Sequence, residues 1–131
     1  MAAPFPGNSQ THSTTNDILL AILHGGKCLG YAELDFDDAN PAAYLSDLPG
    51  GIPAAAQRAI IFIEADATEI NQPRVAMFRE TDVDATPSAG MPIGDNGTVE
   101  INGAVNLENF SIIGITAGKI HTMRVQFYGE G

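Results

Sequence analysis

The chain has 131 residues, with 16 acidic side chains against 6 basic ones and a formal charge of −10. That length suits one domain around one core, and an apolar share of 44% points to a globular chain rather than an acidic disordered one. With no basic block to meet a phosphate backbone or an anionic bilayer, neither nucleic acid nor membrane is expected as a partner.

Other counts narrow the class further. The longest wholly apolar run, Ile18 to Leu23, has six residues, where a membrane-spanning helix needs ~20. The opening Met1-Ala2-Ala3-Pro4-Phe5-Pro6 lacks a basic segment followed by an apolar one, so no export signal is expected. The single cysteine, Cys28, forms no internal disulfide, and the expectation is synthesis in a reducing compartment. Charged residues make up 17% and only Lys27 and Lys119 are lysines. Interface cores are depleted in Lys, Asp and Glu, so this composition suggests a surface partly covered by other subunits.

In chain order, residues 1–16 carry no charged side chain and are rich in Pro, Gly, Ser, Thr and Asn. They read as a flexible N-terminal arm, and residues 17–131 as a single domain. Asn16-Asp17 precedes the apolar run 18–23, which fits either a capped short helix or a buried strand. Tyr31, Leu34 and Phe36 suggest a short strand, followed by a long acidic surface loop with Asp37, Asp38, Asp47, Pro49, Gly50 and Gly51.

From residue 59 the strand signals sharpen. Ala59 to Glu64 is β-branched and aromatic, the composition of a buried strand, and Val75 to Arg79 repeats it. Thr81 to Pro92 is turn-rich. Asp95-Asn96-Gly97 marks a tight turn before the alternating Thr98 to Ile101. Phe110 to Ile115 is a further strand. Met123, Val125 and Phe127 alternate with Arg124, Gln126 and Tyr128 in the last one. The pattern predicts an all-β chain, an antiparallel β-sandwich with at most one short helix, near the start.

Catalytic signatures do not assemble. The nucleophile elbow and the phosphate-binding loop are both missing, and His12, His24 and His121 have no metal-ligand spacing. His24 and Cys28 lie four apart, but Gly25-Gly26 breaks any helix that would join them, so Cys28 reads as a small buried thiol. The cluster Glu33, Asp35, Asp37 and Asp38 invites calcium, yet a loop starting at Asp35 has Asn40 where the turn needs glycine. This set and Glu80, Asp82, Asp84 therefore read as solvated acidic loops. Met77, Phe78, Met91, Ile93, Phe127 and Tyr128 read mostly as core. No catalytic, cofactor-binding or metal-ligating residue is assigned, no cofactor is expected, and the chain is not expected to be an enzyme.

The second half has a recognisable order of elements: Ala59 to Ala65, Arg74 to Thr81, Asp84 to Ile93, Leu107 to Ile113 and Met123 to Tyr128. Over about residues 52–129 this order resembles small β-sandwich virion structural proteins of tailed bacteriophages, of the head decoration or cement type. Two departures stand out. Val83 or Asp84 occupies the family's glycine position, and Thr86-Pro87 reverses its Pro-Thr order. The resemblance implies a jelly-roll-like fold and a protein that stabilises the head by bridging major capsid protein subunits. It also implies self-association as a homodimer or homotrimer, synthesis in the host bacterial cytoplasm, and a place on the outer capsid surface of the virion. The arm and the acidic stretch 33–50 would be its contact elements. A receptor- or glycan-binding module of a head fibre or tail is the alternative, which the lack of Trp disfavours.

Overall fold

The computed structural model describes residues 26–129. The expectations for the arm, for the run 18–23, and for His12 and His24 lie outside the described residues. Within them the chain is mostly antiparallel β, arranged in two four-stranded sheets. The first sheet has the order β1 (Lys27–Phe36), β8 (His121–Gly129), β3 (Ala56–Glu64), β6 (Thr98–Asn102). The second has the order β2 (Ala43–Tyr44), β7 (Ser111–Gly114), β4 (Ala76–Arg79), β5 (Met91–Ile93). No described helix is long and apolar enough to cross a membrane.

Period-two alternation decides which side chains of the first sheet face inward. Met123, Val125 and Phe127 of β8 and Ala59, Ile61 and Ile63 of β3 are buried. They join Phe78, Ile112 and Ile93 of the second sheet in one apolar cluster. Phe110 closes it, its ring stacked on Phe78 at 5.8 Å between centroids.

The second sheet is buried on its other face as well. There Met77 and Ile113 pack with Ala42 and Ala85 in a second, smaller cluster. The segment 80–90 forms this roof. Thr86 and Ala89 exchange backbone hydrogen bonds of 2.9 and 3.0 Å around Pro87-Ser88, the turn chemistry that the sequence announces. Two contacts pin it down: the buried Ser111 hydroxyl accepts the Ala85 N–H at 2.8 Å, and the Tyr44 hydroxyl donates to Asp84. Gly90 ends the roof with φ +149, where a Cβ would lie 2.9 Å from the Phe78 carbonyl oxygen, so only glycine fits.

Four expectations need correction. The one α-helix among the described residues is α1 (Ala104–Asn109), in the second half, where no helix was expected. Its six residues follow Gly103, which has no side chain to cap them, and its hold on the fold is the buried Leu107. Packing, rather than propensity, makes this helix. The strand expected around residues 31–36 is ten residues long. Met91 and Pro92, expected at the end of a turn-rich segment, join Ile93 in β5 against β4. Cys28 is exposed, not buried, because a register shift between Cys28 and Gly30 sets it opposite Tyr128 at the end of β1.

Candidate functional site

The register of the first sheet writes its outer face as rows across β1, β8, β3 and β6. One row runs Tyr31, Gln126, Ile60, Glu100; the next runs Glu33, Arg124, Phe62, Thr98. A third holds Asp35, Thr122 and Glu64, and a fourth holds Cys28, Tyr128, Arg58 and Asn102. Ile60 and Phe62 are half-buried at the centre, and Tyr31 is 54% exposed beside them. Tyr31, Ile60, Phe62 and the stems of Arg124 and Gln126 border a shallow cavity of about 200 Å³.

Charges frame this strip and are satisfied within it. The Arg124 guanidinium donates to Glu33 at 2.9 Å, to Glu64 at 2.5 Å and to the Tyr31 hydroxyl at 3.2 Å. The hydrogen bond to Glu64 and then that to Tyr31 push its pKa further up, so it is a permanent cation. Arg58 donates to Glu100 at 2.8 Å and lies over the Tyr128 ring at 4.7 Å from the centroid. Thr122 donates to Asp35 at 2.8 Å, and the Tyr128 hydroxyl to Gln126 at 3.0 Å. Ordered aromatic and arginine side chains around a shallow apolar centre are suited to recognising a protein surface, where Tyr and Arg carry much of the binding energy.

The acidic residues singled out by sequence do not converge. Glu33 and Asp35 belong to this face. Asp37 and Asp47 instead accept the N–H groups of Ala39 and Tyr44, each at 2.9 Å, and Asp38 accepts that of Gly118 at 3.2 Å. Asp84 is used by Tyr44, whose pKa it raises through their hydrogen bond. Among the described residues no group of three or more His, Cys, Asp or Glu side chains is placed to hold a metal ion.

His121, expected at a strand start, begins β8 and is fully buried. Its Nδ1 accepts the N–H of Asp66 at 3.0 Å, so the ring is neutral with its proton on Nε2. Burial pushes its pKa down, against the pull of Glu69, Asp66 and Asp95. The two aspartates around it are structural. Asp66 accepts from Thr68 and Ile120 and is pulled down to about 2; Asp95 accepts from Asn71 and Ala65 and is also lowered. Together they lace three loops at one end of the molecule.

Ile60 and Phe62 are the functional candidates that sequence reasoning missed, because β3 reads as buried on both sides. The usable signal was in its neighbour: Arg124 and Gln126 alternate outward in β8 and sit directly opposite Phe62 and Ile60. Of the residues expected in the core, Met77, Phe78, Ile93 and Phe127 are buried, Tyr128 is half-buried and Met91 is 61% exposed. No family model matches the chain, and no curated protein and no solved structure matches it either.

Proposed function

We propose that this chain is a bacteriophage virion structural protein of the head decoration type, in which the two sheets form a jelly-roll-like β-sandwich. On this reading it is a binding protein rather than an enzyme, which clamps neighbouring major capsid protein subunits and associates with copies of itself. The observation that carries the proposal is the outer face of the first sheet. Ile60, Phe62 and Tyr31 form an open apolar strip there, with the adjacent arginines held in fixed positions. An anchor strip with pre-ordered polar neighbours loses little conformational freedom on docking. The order of elements over residues 52–129 and the uncharged stretch 1–16 point the same way. Sixteen extended residues reach ~50 Å, enough to cross onto an adjacent subunit.

Purified protein added to undecorated capsids is expected to bind saturably and to raise their melting temperature. Binding to a tail or fibre, with none to the capsid, would overturn the proposal. The exposed Tyr31 favours a second reading, a glycan-binding module. A glycan array separates the two, since the capsid reading expects no hit.

A further inference from the structure

The outer face of the first sheet carries its charge unevenly. Four carboxylates, Glu33, Asp35, Glu64 and Glu100, share it with two guanidinium groups, Arg58 and Arg124, a surplus of two negative charges. The two signs also differ in exposure. The side chains of Glu33, Glu64 and Glu100 are 51%, 54% and 48% exposed, whereas those of Arg58 and Arg124 are 17% and 35% exposed. The arginine stems lie along the sheet, and the carboxylates rise from it. Their places follow the register. Glu100 flanks Ile60 on β6, Glu33 lies on β1 beyond Arg124, and Asp35 and Glu64 share the row next to Phe62. The shallow hollow at Tyr31, Ile60 and Phe62 is therefore bordered by acids on three sides.

Each carboxylate uses one oxygen within the sheet. Glu33 Oε2 and Glu64 Oε1 accept from Arg124, Glu100 Oε2 from Arg58, and Asp35 Oδ1 from Thr122. The second oxygen of each has no hydrogen bond among the described residues. The rest of the chain does not bring the complementary charge, since residues 1–25 and 130–131 contain no lysine or arginine. A second copy meeting this face with its own would set one acidic rim against another, and like charges brought together across an interface oppose association.

We propose that this face takes the surface of another protein that carries an apolar side chain ringed by lysine or arginine. The apolar group sits over Ile60 and Phe62, and the cations meet the open oxygens of Glu33, Asp35, Glu64 and Glu100. The inference rests on the reading of this face as a docking surface and adds the chemistry of what docks.

Nuclear magnetic resonance titrations of the full chain with two capped peptides, Lys-Lys-Phe-Lys-Lys and Glu-Glu-Phe-Glu-Glu, test it. The lysine peptide should bind with shifts centred on Ile60, Phe62, Thr98 and Arg124, at least about tenfold more tightly than the glutamate peptide. Salt at ~0.5 M should remove most of that difference. The triple variant Glu33→Gln, Glu64→Gln, Glu100→Gln leaves two arginines against Asp35 and should reverse the preference. Equal affinity for the two peptides, or shifts centred on the acidic 80–84 loop, would overturn the proposal. Broadening of Ile60 and Phe62 that grows with protein concentration would overturn it in favour of a second copy. Contacts from residues 1–25 to Phe62 would overturn it in favour of the chain's own segment. The wild-type titrations stand even where the triple variant fails to fold. Peptide preference without capsid binding would remove the capsid reading alone; capsid binding indifferent to salt, with no peptide preference, would remove this inference alone.

Discussion

The outer faces of the two sheets differ in what covers them. On the second sheet, Met77 and Ile113 lie beneath Ala85 and Ala42, and the roof is held by Ser111, Tyr44 and Gly90. On the first, Ile60 and Phe62 have, among the described residues, only their flanking rows for cover. Both faces are built from strands with continuous apolar runs, Val75 to Phe78 and Ala59 to Ile63. Such a run demands burial on both sides. The second sheet meets that demand from the described residues themselves; on the first they leave it unmet, and the proposed partner would meet it.

Substitutions can break that contrast, beginning with the roofed face. Ile113→Ala should destabilise by about 2–5 kcal/mol, the cost of a cavity at a fully buried site. Urea unfolding checks this, and a loss below 1 kcal/mol would mean that the roof is not packed. Ser111→Ala should cost about 1–3 kcal/mol by leaving the buried Ala85 N–H without its acceptor. A smaller effect is expected at the laced end. His121 has a folded pKa below its unfolded 6.5, so folding releases protons. Its contribution is complete above pH 6.5 and is lost as pH falls through the folded value. Between pH 7 and 5 the wild-type urea midpoint should drop, while His121→Gln should show a flatter profile. A drop of the same size in the variant would assign the slope to other groups. Arg124→Gln should change stability least, since its partners are exposed carboxylates. Unfolding with and without 1 M salt reads that residual difference, and a large loss at both would show that Arg124 carries packing.

The sequence made much of the β-framework legible. The strict alternation of Met123 to Tyr128 located β8 and both its faces, and Asp95-Asn96-Gly97 located a turn that Asn96 completes with φ +62. Local pattern failed wherever a distant contact decided the structure. Leu107 draws six residues into α1, and β5 forms because Ala76 to Phe78 needs a partner on its open edge. The acidic stretch looked like a solvated loop, yet Asp37, Asp38 and Asp47 each hold a backbone N–H. The candidate face was least legible. Its two central residues belong to a strand that reads as core, and only the register against β8 turns them outward.

The double variant Ile60→Ser with Phe62→Ser therefore tests the central claim, that this face is built for a partner. Its urea midpoint and its binding to undecorated capsids are measured on the same preparation. An intact fold with a destabilisation below about 1.5 kcal/mol and at least tenfold weaker capsid binding is the predicted result. Unchanged binding, or a loss of stability as large as that of Ile113→Ala, would contradict it.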